Sequence, residues 1–264
     1  MTTVVITGGT RGIGRGLAHE FLTRNCNVVI TGRSQDTVDQ VVRELGAAHS
    51  PDRVLGVVCD VRDLKANQNL WDRAAQRFGK LDVWLMNAGV TASRVPLWEL
   101  DSTEIHSVVD TNVLGSLLGA KVAMTGMLEQ GSGRLYVMEG FGSNGMAREG
   151  MVTYGASKRA VRYIRKALRK DLGKDAAVGV GTISPGMVLT DMLLGEYDHD
   201  SAEWDKTKKI FNILADKVET VTPWLAQQVL ADQVGGKIEW LTAGKVARRF
   251  AMARVSKRDL FTDA

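Results

Sequence analysis

The chain has 264 residues, 44% of them apolar and 24% charged. That balance supports a buried core and excludes intrinsic disorder. Its 34 Lys and Arg against 30 Asp and Glu leave a net charge of +4, which is no nucleic-acid signature unless the basic residues cluster. No window approaches the ~18 consecutive apolar residues of a spanning helix. The N-terminus lacks a charged region, an apolar run and a cleavage site, so no signal or transit peptide and a cytoplasmic location are expected. Cys26 and Cys59, without CxxC spacing, make neither a disulfide framework nor a zinc pair. The histidines, at 19, 49, 106 and 199, are scattered. His19-Glu20 opens like a zincin motif, but position 23 is Thr. No metal is expected.

In chain order, residues 3–7 form a short β-rich run closed by Gly8-Gly9. Ile13, Leu17 and Phe21, with Ala18 and Leu22, follow at helical spacing. A second strand covers 28–31, and Val38, Val41, Val42 and Leu45 mark the next helix face. Further strands are predicted at 54–59, 81–86, 135–138 and 178–183, with helices near 64–78, 102–127 and 154–172. Continuously apolar strands separated by amphipathic helices mean parallel strands covered on both faces. The fold class is therefore α/β, one doubly wound parallel sheet with right-handed crossovers. Such units often reach ~250 residues, so 1–264 is one domain. The pattern breaks after about residue 193. Residues 195–236 are expected to be a helical insertion over the sheet, too short for a core of its own. A last strand is predicted at 237–241.

Gly8, Thr10, Arg11, Gly12, Ile13 and Gly14 lie between the first strand and the first helix. Glycine lets the backbone turn tightly and approach a pyrophosphate, and the helix N-terminus offers free N–H groups to the anion. The second strand ends in Arg33-Ser34, where an NAD site usually carries Asp or Glu for the ribose 2′-OH. A guanidinium binds a 2′-phosphate bidentately, and Arg11 adds a second cation. Both favour NADP(H), with NAD(H) as the alternative and solvated surface arginines as the bland reading.

Tyr154 and Lys158 are four residues apart, on one face of a helix continued by Val161, Ile164, Leu168 and Leu172. A free phenol titrates near ~10. A nearby ammonium lowers that value and readies the phenol to protonate a carbonyl oxygen.

Thr7-Gly8 with Gly12 and Gly14, Asp60, Asn87-Ala88-Gly89, Asn112, Tyr154 with Lys158, and Ser184-Pro185-Gly186 together resemble the short-chain dehydrogenase/reductase family over nearly the whole chain. The resemblance implies that Asp60, followed by Val61, lies beside an adenine ring. It implies that Asn87, Ala88 and Gly89 border the cofactor and that Asn112 orders a water linking Lys158 to solvent. Lys158 would also hold the nicotinamide ribose, and the stretch Pro185, Gly186, Val188, Thr190 would lie by the nicotinamide amide. The family usually ends its fifth strand with a serine that holds the substrate carbonyl. Here positions 140 and 141 are Gly and Phe, and the nearest serine is Ser143. The catalytic set read from the sequence is Tyr154, Lys158, Asn112 and Ser143.

Met138-Glu139-Gly140-Phe141-Gly142-Ser143, the Tyr154-Gly155-Ala156-Ser157-Lys158 run and Ser184-Pro185-Gly186-Met187-Val188-Leu189-Thr190 are similar to the chlorophyll b reductases of the non-yellow-coloring group. That implies reduction of the C7 formyl group of chlorophyll(ide) b. A tetrapyrrole needs a wide apolar cleft. Met138, Met146, Met151, Met187 and Met192, with Trp204, Phe211 and Trp224, are candidate contacts or ordinary packing. Arg248, Arg249, Arg254, Lys257 and Arg258 form a basic tail that lies either on an anionic membrane surface or in solvent. The family resemblance implies a homodimer or homotetramer through the helices after 102 and 154. The alternatives are a reductase of this family for another ketone or aldehyde, and a cofactor-binding regulator without chemistry.

Overall fold

Val4, Val5 and Ile6 are all sealed from solvent although their side chains alternate between two faces. A strand buried on both faces is a central strand of a covered parallel sheet. The computed structural model describes every residue except 174, 175, 196, 198–201, 254, 256, 257 and 262–264, and only the backbone of 202 and 203. His199, Arg254 and Lys257, singled out above, lie outside the described residues.

Seven parallel strands form the sheet in the order β3-β2-β1-β4-β5-β6-β9. They are β1 (Thr3–Ile6), β2 (Asn27–Gly32), β3 (Val54–Val58), β4 (Val83–Met86), β5 (Gly133–Met138), β6 (Val178–Ser184) and β9 (Lys237–Glu239). This is the doubly wound α/β architecture expected. The register pairs Val5 with Val29 on one side and with Trp84 on the other.

One sheet face packs on α1 (Gly12–Thr23), α2 (Gln35–Ala48) and α9 (Val218–Ala231). Val4, Ile6, Val28 and Ile30 meet Leu17, Phe21, Val221 and Leu225 there. The other face packs on α3 (Leu64–Phe78), α5 (Gly115–Gln130) and α6 (Val152–Leu172), joining Val5, Val29 and Trp84 to Leu70, Ala123, Met127 and Val161.

The stretch expected as one helix over 102–127 is interrupted. It is α4 (Ser102–Val108), a π-helical turn (Val109–Leu114) and then α5. The 195–236 stretch also divides. α9 is not a cover but a full member of the first layer, because Val221, Leu225 and Val229 are buried against α1 and the sheet. The true addition is α7 (Asp191–Leu194), α8 (Ala202–Leu214) and a small second sheet of β7 (Met187–Leu189) with β8 (Ala215–Lys217).

Candidate active site

β1 has β2 on one side and β4 on the other, so successive connections leave it in opposite directions. A crevice opens beyond the carboxyl ends of the strands at such a switch point, and ligands bind there. The loop after β1 turns through Gly8, whose φ of 66° suits glycine. A Cβ at Gly14 would lie 2.3 Å from the Gly8 carbonyl oxygen and 2.5 Å from Asn87 Nδ2. Only glycine fits there. Asn87 Nδ2 donates to the carbonyls of Thr7 at 2.9 Å and Gly8 at 3.0 Å, while Thr7 Oγ1 accepts from the N–H groups of Asn87 and Ala88, each at 3.1 Å. The Asn87-Ala88-Gly89 segment thus holds the glycine loop rigid. α1 starts at Gly12 behind Arg11, with no side-chain cap on its first-turn N–H groups. A glycine cradle closed by an uncapped helix start is what a pyrophosphate needs, so these residues fit a dinucleotide.

Arg11 and Arg33 are exposed at the rim of this cradle. Arg62, which the sequence did not single out, grips Asp60 with Nε at 2.9 Å and Nη2 at 2.6 Å. That bond, aided by the charge of Arg33, holds the Asp60 carboxyl below the usual carboxylate range. Ser34 caps α2 by accepting from the Thr37 N–H at 3.5 Å. Thr10 stands over Gly32 at the end of β2. Ile13 packs on the first core and Val61 sinks into the second. After β6, Pro185 and Gly186 turn the chain, Val188 is buried in β7, and Thr190 Cγ2 reaches Gly12, 3.3 Å from where a Cβ would stand. Thr190 also caps α7. The glycine loop and the Pro185–Thr190 stretch therefore converge.

On the opposite wall, α6 carries Tyr154 and Lys158. Lys158 is 6% exposed, and its Nζ donates to the Met138 carbonyl at 3.2 Å. Nζ lies 5.7 Å from the centre of the Tyr154 ring. Burial brings the Lys158 ammonium down to about 8. Asn112, in the π-helical turn, is fully engaged. Its Oδ1 accepts from Val90 N–H at 2.9 Å, and its Nδ2 donates to the Val90 carbonyl at 2.9 Å and to Ser157 Oγ at 3.0 Å. Ser157 Oγ donates in turn to the Tyr154 carbonyl at 2.7 Å. A Cβ at Gly89 would meet Asn112 Oδ1 at 3.2 Å and Lys158 Nζ at 3.6 Å, which places those two groups together. A π turn commonly marks a functional position in a helix, and this one aims Asn112 at α6.

Ser143 is placed differently from the other three. It is 3% exposed and closes a turn back onto Gly140 after β5.

Beside Tyr154 a cleft is lined by Thr91, Arg94, Val95, Leu97, Leu100 and Met151. Arg94 Nη1 donates to the Tyr197 hydroxyl, its guanidinium lies 4.5 Å from that ring's centre, and Nη2 reaches Met151 Sδ at 3.3 Å. This contact spans 103 positions of sequence and leaves no signal in spacing. Trp98, 86% exposed, follows the cleft-lining Leu97 on the short turn Leu97–Glu99 and was also missed.

Several candidate pigment contacts prove to be packing. Trp204 and Phe211 are buried against each other, Tyr197 and Phe261, and Trp224 packs on Trp240. Met138 is 6% exposed within β5. Of this set, Met151 lines the cleft. Two arginines of the basic tail are engaged. Arg249 and Arg258 fold back onto buried Asp216 at 2.7 and 2.8 Å. His19 and His49, scattered in sequence, meet at 3.0 Å between ring nitrogens.

A model of the short chain dehydrogenase family matches residues 2–201. The chain belongs to that family. It is 35% identical over 260 residues to the probable chlorophyll(ide) b reductase NYC1 of Arabidopsis thaliana, covering 92% of this chain and 51% of that one. To chlorophyll(ide) b reductase NOL of Oryza sativa it is 36% identical over 232 residues, covering 86% and 66%. The chain thus spans about half the length of NYC1 and about two thirds of NOL. Sulfoacetaldehyde reductase 2 of Chromohalobacter salexigens is 31% identical over 202 residues, covering 76% and 79%. Among solved structures, a serine dehydrogenase complexed with NADP+ superposes with a TM-score of 0.79 at 24% identity, covering 92% of this chain and 96% of that one.

Proposed function

We propose that this short-chain dehydrogenase uses NADPH to reduce the C7 formyl group of chlorophyll(ide) b to a hydroxymethyl group. The observation that carries a reductase reading is the meeting of Tyr154 and Lys158 with the glycine cradle at one crevice. Similarity to NYC1 and NOL over most of the chain supports the pigment. NADPH, when bound, supplies the hydride. Arg33 and Arg11 would bind the 2′-phosphate, and the α1 N-terminus the pyrophosphate. The Tyr154 hydroxyl protonates the carbonyl oxygen. Lys158, held by Met138, puts its positive charge beside the phenolate left behind. Asn112 fixes the height of α6 through Ser157.

The cleft lined by Thr91, Arg94, Leu97 and Met151 lies beside Tyr154. The formyl edge would enter it while the flat macrocycle stays outside against Leu97 and Trp98. Exposed Val109, Leu114, Leu117, Val152 and Tyr163 on α4 to α6 suit a second copy of the chain, giving the dimer or tetramer.

The test is chlorophyllide b with NADPH, followed by the pigment's absorption shift, with Tyr154→Phe in parallel. The wild type should shift the spectrum. The variant should lose a factor of about 10²–10⁴ in rate while binding NADPH normally. An enzyme active on other aldehydes but inert on the pigment would refute the substrate. The 31% identity to a sulfoacetaldehyde reductase favours one second reading, a low-molecular-weight aldehyde, and sulfoacetaldehyde belongs in the same assay.

A further inference from the structure

The turn after β5 departs from its family at the position nearest the chemistry. A Cβ at Gly140 would stand 2.5 Å from the Tyr154 hydroxyl and 3.2 Å from both Cγ and Cε of Lys158. The space of a side chain at 140 is already filled by the two groups that do the work. Ser143 cannot replace that side chain as a donor. A hydroxyl has one hydrogen, and Ser143 Oγ donates its hydrogen to the Gly140 carbonyl at 2.7 Å. The same oxygen accepts from the Gly140 N–H at 3.0 Å, and the Ser143 N–H also donates to the Gly140 carbonyl at 3.1 Å. Both polar groups of Gly140 are therefore bound to Ser143. The turn is pressed against α6 on its other side: a Cβ at Gly142, where φ is 90°, would lie 2.5 Å from Gly155 Cα. Arg159 Nη1 ties the Ser143 carbonyl to α6 at 3.0 Å.

We infer that Gly140 and Ser143 are positioning residues for Tyr154, and that Tyr154 is the group here that hydrogen-bonds the substrate oxygen. This rests on the reading of Tyr154 as proton donor. Ser143 pins the backbone of Gly140, and bare Gly140 sets where the phenol oxygen stands. Misplacing a reacting group by ~1 Å can reduce rate about 10²-fold. Placing a serine at 140 should therefore impair the enzyme.

The experiment compares Gly140→Ala, Gly140→Ser, Ser143→Ala and the double variant Gly140→Ser/Ser143→Ala. It uses NADPH and whichever carbonyl the wild type reduces fastest. NADPH binding, followed by nicotinamide fluorescence, serves as the check that each variant is folded. Both Gly140 variants should lose about 10²-fold in kcat with NADPH binding unchanged. Ser143→Ala should lose less than about tenfold and displace the alkaline limb of the pH–rate profile, because the phenol and ammonium move relative to each other. A direct donor to the substrate oxygen behaves otherwise: its removal lowers kcat by about 10²–10³ and leaves that limb in place. That result, a Gly140→Ser enzyme as fast as wild type, or rescue of Ser143→Ala by the second serine would overturn the inference. Tyr154→Phe separates the two readings. If it retains wild-type turnover, the proton-donor reading itself falls. If it is inactive while Gly140→Ser is fast, only the positioning role falls.

Discussion

Lys158→Met tests how deeply the site is buried. Methionine keeps most of the stem's volume and removes the charge. In the folded protein the ammonium titrates at about 8 because burial penalises its charged form, against 10.5 ordinarily. The unfolded chain therefore holds this proton more tightly than the folded one. The penalty is fully present below pH 8 and disappears as pH rises through 10.5, so this lysine makes stability increase with pH across that window. At ~1.36 kcal/mol per pKa unit the full difference is roughly 3 kcal/mol. The lost bond to Met138 offsets about 1 kcal/mol of it in the variant. At pH 7.5 Lys158→Met should be more stable than wild type by about 2 kcal/mol, or roughly 4–8 °C in Tm for a chain of this size. The gap should shrink towards pH 10.5. Differential scanning fluorimetry of the cofactor-free protein at pH 7.5, 8.5, 9.5 and 10.5 reads the difference directly, and titrations common to both proteins cancel. Parallel Tm curves across that range would refute the burial argument. The same variant should be almost without turnover, since a cation no longer faces the phenol; full activity would refute the role of Lys158.

Arg33→Glu should lower the NADPH to NADH ratio in kcat/KM by about 10–100-fold, as ~1.5–3 kcal/mol of charged hydrogen bonding to a 2′-phosphate is lost and a carboxylate suited to the 2′-OH is gained. An unchanged ratio would mean Arg33 does not read that phosphate. Asp216→Ala should destabilise the protein by about 3 kcal/mol, because Arg249 would be left 14% exposed without its partner. Arg258, 37% exposed, contributes less. Asp216 pairs with Val188 in the small sheet, so the KM for NADPH should rise as well. A Tm within a degree of wild type would refute the anchoring role of this carboxylate.

The strands were legible because a parallel strand covered on both faces needs an unbroken apolar run, and Val28-Val29-Ile30 or Val83-Trp84-Leu85 satisfies nothing else as economically. α3 was legible near 64–78 because its buried Leu70 and Ala74 stand out against a polar remainder. The end of α4 was not. Leu117 and Leu128 are exposed on α5 beside buried Ala120, Val122 and Ala123, so apolar residues surround that helix and no periodicity marks where the π turn begins. Trp204 and Phe211 sit at a helical spacing that suits either a core or a bound ring. Only the packing of Tyr197 and the arrival of Phe261 from far along the chain decide for the core. The site divides in the same way. Tyr154 and Lys158, four apart on one helix, announce themselves. The meaning of Ser143 depends on a turn geometry that spacing does not encode. Here it folds back, because Gly142 can adopt a φ of 90° and let the turn lie on Gly155. The local rule is broken next to the reacting groups, where strain or unusual residues are most often retained for function. Gly140 is therefore better understood as space held open for Tyr154 than as a serine that was lost.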